Sequence, residues 1–197
     1  MEICGKRVML RDLTKEDVAK RIYWNTVDTE WQKWDSPWQY EGMTKEEIEY
    51  EISEMKESME NWLKKNNNMS DTDRRYEFQI ADIQTEECIG WCIAYHINDD
   101  YEYDTRGEYI AIGIDLPPKD IRGKGYGTEA FGMFIDYIKR HFKTKIYTQT
   151  WSGNTAMMKL AEKLGFTECS RIPGIYEQNG VIYDEVTYRL DEEITEI

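Results

Sequence analysis

Two hydrophobic periods alternate along the chain, and the switches between them divide it into elements. Val8 and Leu10 alternate with polar neighbours in "KRVMLRDLTKED", which predicts an opening strand. Thr14, followed three residues later by Asp17, is a capping-box pattern that predicts a helix with Val18 and Ile22 on one face. Thr44 with Glu47 repeats the pattern, and Ile48, Ile52, Met55, Met59 and Trp62 then recur at helical spacing. The acids Glu46, Glu49, Glu54, Glu57 and Glu60 read as the solvated face of that helix. Three alternating runs follow, "YEFQIADI", "CIGWCIAYHI" and "GEYIAIGIDL", and the turn-rich stretches between them predict an antiparallel meander. A helix from Thr128 to Phe142 buries Phe131, Phe134, Ile135, Ile138 and Phe142, with Lys139, Arg140 and His141 where cations suit the dipole. "KIYTQTW" reads as a strand and Asn154 to Leu164 as a short helix stopped by Gly165. "FTECSRI" and "VIYDEVTYRL" close the chain as strands joined by a glycine-containing loop. No repeat or linker interrupts the series, so one mixed α/β domain over residues 1–197 is expected.

One segment follows neither period. "WNTVDTEWQKWDSPWQYEG" holds Trp24, Trp31, Trp34 and Trp38 and reads as an aromatic loop or broken helix, either covering a pocket or packing into the core.

Composition narrows the function. The chain is 40% apolar and 32% charged, ordinary for a globular protein. Its net charge of −14 argues against a general binder of nucleic acid or anionic membranes and favours cationic partners. Neither a signal peptide nor an apolar run of the ~18 residues a span needs is present, so a cytoplasmic protein is expected. Cys4, Cys88, Cys92 and Cys169 are scattered and read as reduced core thiols. With only two histidines, His96 and His141, a histidine-rich metal site is not expected.

The acidic chain carries one positive island, Lys119 to Lys124, inside "KDIRGKGYGTEAF". Gly123, Gly125 and Gly127 are evenly spaced, which misses the dinucleotide fingerprint by one residue, and the Walker spacing fails as well. The setting still suits an anion: a strand ends at Leu116, the chain turns, and a helix begins with unpaired amides. Glycines there let a phosphate approach the backbone without Cβ collisions.

Arg122, Gly125 and Gly127 match the Arg/Gln-x-x-Gly-x-Gly/Ala motif of the GNAT N-acetyltransferase superfamily, and "NTAMMKLAEKLGF" resembles its Asn-led helix. "RVMLRDLTKEDV" and "YDEVTYRL" are similar to the branch of ribosomal-protein N-terminal acetyltransferases. The resemblance implies a mostly antiparallel twisted sheet with helices on both faces, splayed between "EYIAIGIDL" and "KIYTQTW" to receive acetyl-CoA. The pyrophosphate would bind amides of Arg122, Gly123, Lys124, Gly125, Gly127 and Thr128, and the pantetheine arm would pair with backbone groups of Ile114 and Leu116.

The implied reaction moves an acetyl group to a primary amine, by direct attack and without a metal. It needs a base, an oxyanion contact such as the amides near Ile112 to Ile114, and a proton for the leaving thiolate. Relatives carry a strand glutamate; here Glu108 fits with a one-residue gap, Ala111 without it, and Asp115 lies close by. Where relatives often place a tyrosine the chain has Ala161, which leaves water or Tyr147 as proton donor, with Asn154 as a CoA or water contact. The acceptor is a peptide N-terminus or a small amine, with the peptide favoured by the branch, and dimerisation is left open. The alternative is a weakly catalytic CoA-binding sensor or scaffold.

Overall fold

Capping boxes fix two of the helices. The computed structural model describes residues 1–191, and in it Thr14 and Thr44 each accept from the backbone N–H three residues on. The carboxylates of Asp17 and Glu47 reach back to the threonine amides, at 2.8 and 2.7 Å. Losing such a cap costs about 1 kcal/mol. Helices α1 (Lys15–Thr26) and α3 (Lys45–Asn66) start where the patterns predict. Their apolar faces meet, as Val18 and Met59 join Leu13 in a cluster flanked by Ile22, Met55, Trp62 and Leu63.

Eight strands form a mostly antiparallel sheet in the order β1-β2-β3-β4-β5-β6-β8-β7. They are β1 (Glu2–Cys4), β2 (Val8–Arg11), β3 (Glu77–Asp82), β4 (Cys88–Ile97), β5 (Tyr109–Asp115), β6 (Ile146–Trp151), β7 (Phe166–Gln178) and β8 (Val181–Leu190). The chain groups into two units, Met1–Cys92 with Ile114–Met133, and Ile93–Gly113 with the chain from Phe134 onward. In the first, β2 registers on β3 with Leu10 opposite Ile80, and Val8, Leu10, Phe78 and Ile80 are fully buried.

The tryptophan-rich segment is a broken helix: a 3-10 turn (Thr29–Trp31) runs into the short α2 (Gln32–Asp35). Trp24 and Trp31 are core residues at 2% and 8% exposure, packed on Trp91 at ring distances of 6.0 and 5.2 Å. In this segment only Trp34 and Trp38 keep surface, so a pocket-covering role is left to these two.

In the second unit β5 pairs in parallel with β6 at Ile110–Ile146 and Ala111–Tyr147. At Ile112 the carbonyl instead accepts the Thr148 hydroxyl, at 2.7 Å. Helix α5 (Thr155–Lys163) then leads to β7, which runs past the expected stop near Ile172 to a turn at Asn179 and Gly180. Both turn residues have positive φ, 53° and 76°, as tight hairpins favour. The irregularity between Ile172 and Tyr176 carries the strand through Pro173 and Gly174.

The cysteine expectation needs correction. Cys88 and Cys92 are buried, and burial pushes the Cys88 thiol up to about 12, but Cys4 and Cys169 are exposed on edge strands. No helix among the described residues is long and apolar enough to cross a membrane.

Candidate active site

Helix α4 (Tyr126–Phe142) opens directly on the glycine loop, two residues earlier than the pattern suggests. The chain leaves β5 at Asp115, makes a 3-10 turn at Lys119–Ile121, and enters α4 through Gly123 and Gly125. These two glycines adopt φ of 72° and 91°, a region that side-chain-bearing residues avoid. The amides of Arg122 and Lys124 are engaged, donating to the carbonyls of Lys119 and Ile121. The first helical bond runs from the Glu129 amide to the Gly125 carbonyl, at 3.1 Å. Among the described residues the amides of Gly123, Gly125 and Gly127 donate to no backbone carbonyl. The donor row at the helix mouth is therefore narrower than the sequence suggests, and it remains suited to an anion.

Both flanks of this loop are tied down. Arg122 donates through Nε to the Leu116 carbonyl at 3.2 Å and through Nη2 to the Pro117 carbonyl at 2.6 Å. Its Nη1 pairs with Glu30 at 3.0 Å, and Lys119 lies 3.9 Å from the same carboxylate. Partial burial pushes the Glu30 carboxyl up, but the hydrogen bond and charge of Arg122 win and hold it below the ordinary range. The positive island is thus largely spent inside the protein, and the Leu116 carbonyl is taken. On the helix side the Tyr126 hydroxyl donates to Asp82 at 3.1 Å.

Behind the loop lies a second carboxylate with the opposite character. Asp115 ends β5 and is half-buried. Burial, and next the Asp35 carboxylate, drive its pKa well above the ordinary value, against the pull of Arg21. Asp35 is itself raised, chiefly by burial, although its side chain keeps open surface. Arg21 is paired with Glu77 and lies 4.2 Å over the Trp91 ring, and among the described residues its buried Nε has no hydrogen-bond partner.

The remaining expected residues behave differently. Ile114 is half-buried one residue before Asp115. Glu108 stands exposed just ahead of β5, and only its backbone carbonyl is engaged, by Thr144 at 2.8 Å. Asn154 is the N-cap of α5, its side-chain oxygen accepting from the Met157 amide at 3.0 Å. Ala161 is fully buried, and Tyr147, at 4% exposure, packs against Tyr101 and Tyr109.

Residues 7–167 match the family model described as an acetyltransferase (GNAT) domain. The chain belongs to the GNAT acetyltransferase family. No match is found among curated proteins. Among solved structures it resembles the ribosomal-protein-S5-alanine acetyltransferase of Vibrio fischeri, with TM-score 0.68 and 14% identity over 96% of this chain and 95% of that one. It also resembles the Vibrio cholerae spermidine N-acetyltransferase solved with CoA and spermine, with TM-score 0.66 and 18% identity over 94% and 96% of the two chains. A GNAT-family acetyltransferase of Bacillus anthracis aligns with TM-score 0.64 and 19% identity over 96% and 98%. At these identities the likeness is one of fold alone, and it does not reach the ribosomal-protein branch.

Membership in this acetyltransferase family supports acetyl transfer to an amine and implies acetyl-CoA as co-substrate. The glycine loop fits that group, since its two positive-φ glycines and unpaired amides leave room and donors for a pyrophosphate. Sequence reasoning missed Glu30, Asp35, Trp91 and Arg7, which meet the loop or Asp115 only through the fold. Glu30 lies 92 residues from its partner, too far for any local pattern to signal.

Proposed function

We propose that this acetyltransferase acetylates the primary amine of a cationic acceptor, a small amine or a peptide N-terminus, with Asp115 as the group that takes the amine's proton. The observation that carries this reading is Asp115 itself, a crowded carboxyl at the end of β5, faced by a second carboxyl and followed directly by the glycine loop. Glu108, the glutamate favoured from sequence, is exposed ahead of the same strand, so the proposed base is Asp115 instead. A carboxyl raised by burial is a stronger base than an ordinary one, and the neighbouring Asp35 favours a cationic guest.

Acetyl-CoA supplies the activated acetyl group. The amides of Gly123, Gly125 and Gly127 would hold its pyrophosphate, and the amides near Ile114 would hold its arm. The arriving ammonium group would favour the ionised form of Asp115, whose proton leaves to solvent, and the carboxylate would then take one proton from that ammonium, leaving a neutral amine whose nitrogen attacks the thioester carbon. The C–N bond forms, the C–S bond breaks, and the second amine proton passes to the thiolate through water, since Ala161 offers no donor. Asp115 then returns its proton to solvent. Asn154, whose side-chain oxygen caps α5, contributes at most a water or CoA contact.

An acceptor screen tests this reading. Thiol release from acetyl-CoA should appear with cationic primary amines or N-terminal peptides and should weaken as salt rises. Release with neutral or acidic acceptors only, independent of salt, would contradict it. Tight acetyl-CoA binding with no turnover on any amine would instead favour a sensor or scaffold.

A further inference from the structure

Lys119 and Arg122 are the cations that the sequence offers to a phosphate, and Glu30 pairs with both. The loop nevertheless has a free cation beside it. A Cβ built on Gly125 would lie 2.7 Å from Nη1 of Arg7, so the guanidinium rests against the bare face of the loop. Arg7 belongs to the turn between β1 and β2 and is exposed. Among the described residues its guanidinium makes no hydrogen bond or ion pair.

The backbone beneath that side chain is held on two sides. Glu129, in the first turn of α4, accepts from the Lys6 amide and, at 2.8 Å, from the Arg7 amide. Burial pushes the Glu129 carboxyl up, but the amides of Arg7, Lys6 and Val8 win and keep it ionised. The Arg7 carbonyl accepts from the Ile83 amide at 2.8 Å. Glu129 thereby sets the turn against the very helix end that opens on the glycine loop, and it spends its charge on backbone amides rather than on the guanidinium.

We propose that Arg7 is a phosphate ligand of acetyl-CoA, contributing the full charge that the glycine amides lack, and that Glu129 is its positioning residue. This assignment rests on the acetyltransferase reading above. A planar guanidinium can meet two phosphate oxygens at once, while the orphan amides meet a third from the loop side. In the free protein the same guanidinium occupies the space over Gly125, and a phosphate would draw it onto itself. Gly125 is then required twice, for its φ of 91° and for the room its missing side chain leaves to Arg7.

Calorimetric titration of the full chain with acetyl-CoA and with 3′-dephospho-CoA tests the proposal. Arg7→Ala should weaken acetyl-CoA binding about 10-fold to 100-fold, the range for a charge-assisted hydrogen bond. Arg7→Lys should recover part of the loss. Lys6→Ala removes a neighbouring cation from the same turn and should change affinity by no more than about twofold, which controls for net charge. An equal loss for both ligands assigns Arg7 to the pyrophosphate, and a loss confined to the intact ligand assigns it to the 3′-phosphate. A folded Arg7→Ala variant that binds both ligands like the parent, or a Lys6→Ala loss as large, overturns the assignment while leaving the acetyltransferase reading intact. A parent chain that binds neither ligand overturns both.

Discussion

Glu30 and Asp115 both stand beside the glycine loop, and the fold treats them in opposite ways. Glu30 is given two cations, Arg122 and Lys119, and is held ionised below the ordinary range. Asp115 is given burial and a second carboxyl, Asp35, and is held well above it. The first carboxylate ties the loop to the chain before α2 and has no proton to exchange near neutral pH. The second is left electrostatically unfinished, a condition that costs stability and is useful only where a cation or a proton is to be received. The satisfied charge is scaffold, and the unsatisfied one is where we place the chemistry.

The sharpest way to break this contrast is Asp115→Asn. Turnover should fall about 10²- to 10⁴-fold, with acetyl-CoA affinity nearly unchanged, because a base acts in the chemical step. The same variant should be more stable than the parent at neutral pH. Between the ordinary carboxyl pKa and the raised folded value, the unfolded chain has lost a proton that the fold retains, so parental stability falls as pH rises through that window. Asparagine removes that fall, and thermal denaturation across pH measures it. A variant that loses stability at neutral pH while keeping its turnover would make Asp115 a structural acid.

Gly125→Val comes next in size. A branched side chain at φ 91° is strained and collides with the Arg7 guanidinium, so acetyl-CoA affinity should drop at least about tenfold by calorimetry. Some loss of stability should accompany it. Unchanged affinity in a folded variant would remove the loop from the binding site.

Glu30→Gln should act most weakly. The pair is partly exposed, at 21% for Glu30 and 29% for Arg122, so solvent screening keeps its contribution below about 1 kcal/mol. With a lowered folded pKa, that contribution is present above the ordinary glutamate value and is lost as pH falls through the folded one. Freed of Glu30, Lys119 and Arg122 should tighten acetyl-CoA a few-fold, an effect opposite in sign to that of Gly125→Val. Weaker binding would mean that Glu30 orients the loop rather than neutralising it.

What the sequence discloses about this molecule follows from the range of each interaction. The two capping boxes, the glycine spacing and the helix faces are decided within a few residues, and all appear where the pattern puts them. The aromatic segment was ambiguous because tryptophans pack cores and line pockets alike, and here Trp24 and Trp31 went to the core. The hairpin turn at Asn179 and Gly180 is a local signal, obscured by Pro173 and Gly174 a few residues earlier. The electrostatics were not legible. Three bases around Arg122 looked like an anion site until Glu30 was found across a separation of 92 residues. Asp115 ranks behind Glu108 in the sequence, and only burial and Asp35 set it apart in the fold.

The central claim is that Asp115 holds its proton because Asp35 and burial disfavour its charge. A carboxyl carbon-13 NMR titration of the parent chain, with Asp115→Asn for assignment and Asp35→Asn as the perturbation, measures this directly. The account predicts that the Asp115 resonance titrates well above the ordinary aspartate range and moves down when Asp35 is replaced. A resonance that titrates in the ordinary range, unmoved by Asp35→Asn, would contradict it.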